Sequence, residues 1–527
     1  MDSEGLIHAV YRVQGGAEYT ERLARAIAWE QTVELPEGQV TDPAIRDGVV
    51  GRVEGIVPDP DQAGARRVHL AFPAALASGQ IGQLFNLLYG NVSMYRGVRL
   101  VNAELPAAVL RAFAGPRYGA EGVRRLTGVY GRPLLATAVK PRGAPIERLV
   151  GIVRDFALGG GDIVKDDQNL VDPSFDAFRR RVEACAAAVE QANAETGRRC
   201  LYLPHLAGRD EDLERAAEFI HARGLAGALI CPLVVGLDRA RALAARYNLL
   251  FMAHPALSGA YTNGATEGVD HAPLLGKLFR LAGADVSVFP SPGGRFDVAA
   301  SDCEALRREL AQPLGGLAPA LPGPAGGMRR DLVPRLARTY GADAVFLIGG
   351  SLLGDAAGVR GGTQAFLDAI RAHFDERLAE PGAGPASACE LPGAGAETAR
   401  ALLPARAGFR WQGRADQPYK TSRDLDFRGV RRVELVGKNG EPMSFELRYF
   451  ELEPGGYTSL EKHVHTHVLI GARGSGAVRI DDERMPLNPD DVAYVGPLHV
   501  HQLYNEGDEP FGFYCIVDRE RDRPMAP

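Results

Sequence analysis

Between residues 134 and 353 the chain alternates short apolar runs with longer amphipathic segments. Eight runs stand out: LLATAVK, DIVKDD, CLYLPHL, GALICPLVV, LLFMAHPAL, ADVSVFPSP, LAPALPGP and AVFLIGGSLL. They begin about 20–40 residues apart. Segments between them, such as DPSFDAFRRRVEACAAAVEQANAE and DEDLERAAEFIHAR, carry the 3.6-residue apolar period of a helix with one buried face. Strands buried on both faces need near-continuous apolar runs, so eight strand–helix units predict an α/β fold with a (β/α)8 barrel. A doubly wound sheet, with fewer strands, is the competing arrangement. After residue 405 the pattern becomes alternating, in SFELRYFELEP, GAVRIDDERMPL, DVAYVGP and FGFYCIVDRE, and predicts a small all-β barrel. Residues 379–397 read AEPGAGPASACELPGAGAE, dense in Pro, Gly and Ala without apolar period. That composition predicts a linker, with a long surface loop as the alternative.

Composition narrows the picture. A chain of 527 residues has room for about three domains. With 60 basic and 66 acidic side chains the formal charge is −6, without the basic surplus of a general nucleic-acid binder. No run approaches the roughly 18 apolar residues of a membrane helix, and the N-terminus lacks a basic segment followed by an apolar one. The six cysteines, at 185, 200, 231, 303, 389 and 515, show no CxxC spacing, which suits a reducing cytoplasm. Histidine is uneven: five of twelve fall between His463 and His501.

Polar groups recur at the C-terminal ends of the apolar runs: Lys140, Lys165-Asp166-Asp167, His205, His254, Ser291 and Gly349-Gly350-Ser351. Barrel enzymes gather their chemistry at that end of the strands. Lys165 can form ion pairs with Asp166 and Asp167, or its neutral amine can take up carbon dioxide as a carbamate and join a carboxylate as an oxygen ligand for Mg²⁺. Lys140 becomes an acid/base if burial and nearby charge lower its pKa. Gly326-Gly327 and Gly349-Gly350 end the seventh and eighth runs, the usual barrel location for a phosphate.

TAVKPRG, GGGDIVKDD, MAHPALSG, FPSPGG, PAGG and LIGGSLLG, together with AWEQTVELP and YGNVSMY, make residues 8–375 resemble the RuBisCO large-chain superfamily, in particular its RuBisCO-like proteins that do not fix carbon dioxide. The resemblance implies an N-terminal α+β, ferredoxin-like domain over 1–118, the barrel over 119–378, and a linker over 379–404. It also implies Lys165 as a carbamylated ligand, Asp167 as a second ligand, Lys140 as the acid/base and His254 as a substrate contact. Gly326, Gly327, Gly349 and Gly350 would hold phosphate. Glu30 and Asn91 would enter the active site of a partner subunit, making a homodimer the minimum competent unit. Three departures stand out. Gln168 replaces the usual third ligand, a Glu, and so removes one negative charge from the metal site. FPSPGGRF lacks the lysine of carboxylating members, and Pro255 follows His254 where they place an arginine for a second phosphate. A substrate with one phosphate fits this pattern better than a bisphosphate.

In EKHVHTHVLIGARGSG, His463, His465 and His467 are two apart, the spacing that puts side chains on one face of a strand. PLHVHQLYN adds His499 and His501. Three or four neutral imidazoles on a rigid barrel make a first-row transition-metal site, against the plainer reading of a surface histidine cluster. GGYTSLEKHVHTH and VGPLHVHQLYN resemble the two motifs of the cupin family, which places a cupin domain over 405–527. The resemblance implies His463, His465 and His501 as ligands, His467 in place of the usual Glu, and His499 as a supporting residue. A RuBisCO-like protein and a manganese cupin are neighbours in one bacterial methylthioadenosine salvage route. There, 5-methylthioribulose 1-phosphate is isomerised to 1-methylthioxylulose 5-phosphate, which then loses methanethiol to give 1-deoxyxylulose 5-phosphate. The resemblance therefore implies a fused, bifunctional sugar-phosphate enzyme using Mg²⁺ in the barrel and Mn²⁺ or a similar metal in the cupin. The alternatives are decarboxylase or transcarboxylase chemistry on a phosphorylated oxo sugar acid, and a non-catalytic barrel with a sensing cupin.

Overall fold

The computed structural model describes residues 5–378, 403, 405–406, 408–417, 419, 426–437, 445–463 and 465–518. The expected linker over 379–404 therefore lies, but for one residue, outside the described residues. The chain divides into two compact units, Met1–Pro385 and Ala386–Pro527.

The first unit opens with strand Leu6–Gln14, helix Ala17–Glu30, strands Arg52–Pro58 and Ala65–Pro73, helix Ile81–Tyr89 and strand Val98–Glu104. In the sheet the last strand lies beside the first, followed by the third and the second, which is the ferredoxin-like βαββαβ arrangement. LIHAVYRVQ alternates as a half-buried strand must: Ile7, Ala9, Tyr11 and Val13 are buried between half-exposed neighbours. The Tyr11 hydroxyl donates to the carbonyl of Leu88 at 2.7 Å and so fixes helix Ile81–Tyr89 on the sheet. A fifth strand, Gly268–Val269, comes from a loop of the barrel and pairs in parallel with Val98–Glu104. Arg99 locks this junction by donating to the carbonyls of Thr262, Gly264, Glu267 and Val269.

The eight predicted runs form the barrel. Its strands are Leu134–Val139, Ile163–Asp166, Leu201–Leu203 with His205–Leu206, Gly227–Ile230, Leu250–Ala253, Val286–Pro290, Leu321–Ala325 and Val345–Ile348. They are called barrel strands one to eight below. Strand eight pairs in parallel with strand one, and the ladders continue from one to three and from three to seven. The third strand is interrupted at Pro204, which has no N–H to give to a ladder. Two runs stop being strand earlier than their apolar character suggests. Strand four ends at Ile230 before a short helix Pro232–Val235, and strand eight ends at Ile348 before Gly350–Leu353. Proline suits the first turn of a helix, and a glycine pair lets the chain turn sharply. Along helix Phe175–Thr196 the Ser174 side chain accepts from the Ala177 N–H at 3.3 Å, and Gly197 closes the helix at φ +69°.

The second unit is a nearly closed, all-antiparallel β-barrel of the cupin kind. Its central strand, Phe445–Tyr457, pairs with Phe511–Asp518 on one side and Arg428–Val436 on the other. GAVRIDDERMPL is a hairpin, Gly476–Ile480 with Glu483–Leu487, because the chain turns through Asp481 at φ +52°. Phe450, Leu452, Leu469, Val478, Leu503 and Phe513 fill its core. Among the described residues no helix is long and apolar enough to cross a membrane.

At the N-terminal end of strand one, the fully buried Arg132 guanidinium binds Asp162 at 2.6 Å and Glu376 at 2.9 Å. Breaking such a pair leaves uncompensated buried charge, so Arg132→Met should destabilise the first unit by about 3–5 kcal/mol. Calorimetry of the full chain should show its transition lowered and the cupin transition in place. Burial opposes ionisation of Glu376, yet Arg371 and Arg132 hold its carboxyl down at about 2. Its contribution is thus complete above the ordinary glutamate range near 4.3 and fades as pH falls towards 2.

Candidate functional sites

Inside the barrel, side chains alternate along strand two. Ile163 joins the interior layer of apolar residues, and Lys165, two positions on, follows it on that face. Asp166 turns the other way and is consumed there: its oxygens accept from Arg181 at 2.8 Å, from the Tyr202 hydroxyl at 2.8 Å and from the His205 N–H at 3.0 Å. Of the two acids that follow Lys165, Asp166 is therefore structural and Asp167 belongs to the mouth.

Lys165 is 2% exposed, and its Nζ donates to the backbone carbonyl of Asp166 at 3.0 Å. Burial, joined by the nearby Lys140 cation, brings its pKa down to about 8. Lys140, just past strand one, binds Asp167 at 2.8 Å, and the other Asp167 oxygen accepts from the Asn169 N–H at 3.0 Å. Burial works against the Asp167 charge, but the hydrogen bond from Lys140 holds the carboxyl below the usual range. His254 Nδ1 accepts from the Ala256 N–H at 3.1 Å, so Nε2 carries the proton. Burial, then the Lys165 charge, lowers its pKa to about 3 and keeps the ring neutral. Cys231 was not singled out from the sequence. Its thiol lies 3.6 Å from His205 Nε2 and, by the strand-end rule applied to strand four, it too belongs to the mouth. Burial pushes that thiol up to about 11 and His205 down to about 4. Ser291 is committed to the hydroxyl of Tyr340 at 3.0 Å.

Gly326 and Gly327 have φ of +88° and +105°, and a Cβ on Gly327 would lie 2.9 Å from the Arg295 backbone nitrogen. Gly349 and Gly350 are different: a Cβ there would meet nothing within 4 Å, so this backbone turn faces open space. The Ser351 hydroxyl donates to the carbonyl of Met328 and thereby ties the two glycine loops together. On the N-terminal domain, Asn91 Nδ2 donates to Glu30 at 2.9 Å. Gln31, beside it, bridges the carbonyls of Asn86 and Leu87 to the Val92 N–H and fixes both residues' segments. Among the described residues no hydrogen bond joins Glu30 or Asn91 to Lys140, Lys165 or His254 of the same chain.

As an amine, Lys165 leaves one carboxylate and the half-buried Gln168 amide, a poor set for a hard dication. A carbamate on Lys165 adds a second anionic oxygen beside Asp167 and completes a set that fits Mg²⁺. Carbamylation consumes the neutral amine and releases a proton. Labelling of Lys165 by ¹³C-bicarbonate should therefore rise as pH climbs through about 8, and should vanish in Lys165→Arg.

In the second unit His463, His467 and His501 are buried, and one nitrogen of each lies within 4.8 Å of the others. The expected regular strand through all three motif histidines is not what forms: the strand begins at His467, and His463 precedes it in irregular chain. The rings converge because His463 Nδ1 bonds the His465 carbonyl at 2.8 Å and the Leu498 N–H bonds the His463 carbonyl at 2.7 Å. His465 stacks on His463 with ring centroids 3.5 Å apart. His501 Nδ1 bonds the His499 carbonyl at 3.0 Å, so His499 acts through its backbone while its half-exposed ring pairs with Asp481. With Nδ1 so engaged, Nε2 is the nitrogen left for a metal. Nε2 of both His463 and His467 is buried with no hydrogen-bond partner. Burial, then neighbouring imidazoles, brings His463 down to about 4 and His467 far below the ordinary imidazole value, which keeps lone pairs available. Three such nitrogens fit a divalent transition metal. His467→Ala should weaken Mn²⁺ binding by at least about 100-fold, read by metal analysis after dialysis.

Comparison with known proteins matches both domains. Residues 119–289 match the model of the ribulose bisphosphate carboxylase large chain, catalytic domain, and residues 448–517 match the cupin domain. The chain is 39% identical over 366 residues to the 5-methylthioribulose-1-phosphate isomerase of Rhodospirillum rubrum, covering 69% of this chain and 96% of that one. It is 37% identical over 314 residues to the 2,3-diketo-5-methylthiopentyl-1-phosphate enolase of Geobacillus thermodenitrificans, covering 59% of this chain and 76% of that one. The crystal structure of a Rubisco-like protein from Rhodopseudomonas palustris superposes with TM-score 0.64 at 37% identity, over 70% of this chain and 99% of that one. The chain belongs to the RuBisCO-like proteins of the RuBisCO large-chain superfamily, extended by a C-terminal cupin domain.

Proposed function

We propose that the chain is a bifunctional sugar-phosphate enzyme of methylthioadenosine salvage. In this reading the barrel isomerises 5-methylthioribulose 1-phosphate to 1-methylthioxylulose 5-phosphate, and the cupin releases methanethiol from that product. The observation that carries the reading is the pair Lys140–Asp167 at 2.8 Å beside a buried Lys165 and a neutral His254. This arrangement serves proton transfer next to a carbonyl. The similarity to the isomerase over nearly its whole length supplies the substrate class.

Lys140, once its ion pair with Asp167 is given up and its own proton has passed to solvent, takes as a neutral amine the proton from the carbon beside the ketone, and it or water returns a proton farther along the carbon chain. The Nε2–H of His254 donates to the oxygen on which charge develops. Gly326, Gly327, Gly349 and Gly350 hold the phosphate through backbone N–H groups. Carbamylated Lys165, Asp167 and Gln168 would hold Mg²⁺, which would polarise the ketone when bound. Glu30 and Asn91 act in the site of a second copy, so the competent unit is a homodimer, working in the cytoplasm. In the cupin, His463, His467 and His501, with His465 alongside, hold Mn²⁺ or a similar metal. Breaking the C1–S bond with a hydrogen in place of sulfur is a two-electron reduction, so this half-reaction needs a thiol reductant.

The test uses full-length protein with Mg²⁺, Mn²⁺, bicarbonate, glutathione and 5-methylthioribulose 1-phosphate. A new ³¹P resonance together with methanethiol in the headspace is the expected result. No new resonance overturns the isomerase reading, and a resonance without methanethiol overturns the cupin half alone. Carbon dioxide release from a phosphorylated oxo sugar acid, with no isomerisation, would place the barrel in decarboxylase chemistry instead.

A further inference from the structure

The cupin cavity holds a charge that the metal site does not use. A cavity of about 80 Å³ is lined by His465, His467 and His501 and also by Arg432, Arg448 and Glu461. Arg448, on strand Phe445–Tyr457, is 8% exposed and has its guanidinium over the Phe450 ring at 5.3 Å. Its one described side-chain hydrogen bond goes to Cys515 Sγ at 3.2 Å, a weak acceptor, and its buried Nε has no hydrogen-bond partner among the described residues. Cys515 lies in turn 3.4 Å from His467 Nδ1, so the guanidinium sits beside the histidine cluster.

The other deeply buried arginines are treated differently. Arg132 binds Asp162 and Glu376, and Arg181 binds Asp166 and Asp172. Arg280 donates to four backbone carbonyls, those of Glu309, Gln312, Leu317 and Ala318. Each is capped by oxygen, as a buried cation must be to offset its lost hydration. No carboxylate among the described residues lies within ion-pairing distance of Arg448. Arg432 pairs with Glu434 at 3.3 Å, Glu461 lies across the cavity from Arg448, and Glu446 is buried two positions before Arg448 on the same strand. A dication on the imidazoles would add positive charge beside Arg448, and an anionic ligand would offset both.

We propose that Arg448 is the phosphate-binding residue of the cupin cavity, holding a phosphomonoester dianion next to the histidine-bound metal. The inference rests on the phosphorylated-substrate reading above and names the group that would discriminate for it in the second domain. A guanidinium offers paired N–H donors in a fork that matches phosphate oxygens, which Lys or Gln cannot reproduce.

The test is the Mn²⁺-dependent relaxation of the ³¹P signal of inorganic phosphate, with the full chain carrying Mn²⁺ in the cupin and excess Mg²⁺ to occupy the barrel. His467→Ala serves as the blank for the cupin metal. The wild-type protein should enhance relaxation saturably, with acetate a much poorer competitor than phosphate. Arg448→Gln should weaken phosphate by about tenfold or more while Mn²⁺ content is unchanged, and Arg448→Lys should fall between. Equal competition by acetate, or unchanged phosphate affinity in Arg448→Gln and Arg448→Lys, overturns the proposal. The wild-type competition does not depend on either variant folding. Because inorganic phosphate carries no sugar or thioether, the result is independent of whether methanethiol is ever released.

Discussion

The carboxylate of Asp166, wholly buried behind barrel strand two, is shared by Arg181, the Tyr202 hydroxyl and the His205 N–H at 2.8–3.0 Å. These contacts tie strand two to helix Phe175–Thr196 and to strand three. Side chains alternate along a strand, so pinning Asp166 outward obliges Lys165 to face the barrel interior. Asp167, just beyond, is free to meet Lys140. The positions of the mouth residues thus depend on a charge that takes no part in their chemistry. Arg181 is itself held by Asp172 at 2.9 Å, so the guanidinium is saturated and its own desolvation is offset.

Two sites in one chain solve opposite electrostatic problems. The barrel mouth collects cations, Lys140 and Lys165, around the Asp167 carboxylate, and burial, helped by the Lys140 charge, lowers the Lys165 pKa. The cupin cavity collects neutral imidazoles, a surround that fits a divalent first-row transition metal. Gln168 sharpens the contrast, because it puts a neutral amide, half-buried, next to the single carboxylate of Asp167.

Much of this was legible in the chain itself. Eight near-continuous apolar runs specify strands buried on both faces, and every one of them became a barrel strand in order. The glycine pairs, Lys140, Lys165 and His254 all lie where the strand-end rule puts them. What the one-dimensional pattern could not separate was Asp166 from Asp167, since both are acids beside the same lysine. Only the packing of Arg181 and Tyr202 assigns them different tasks. In the same way the motif histidines fit an ideal strand by spacing, but the ladder starts at His467, and a hydrogen bond from the His463 ring to a backbone carbonyl creates the convergence instead.

Periodicity and motif spacing are local properties, so the order of secondary elements, the family and the inventory of reactive groups can be read along the chain. Tertiary structure decided which groups meet and in what ionisation state. Cys231 came to lie against His205, and Arg448 became a cation buried without a carboxylate partner, though neither has a local signature. Burial and the distances between charges are set by chain segments far apart in sequence, and those long-range contacts shift the pKa values and leave Arg448 without a carboxylate in reach among the described residues.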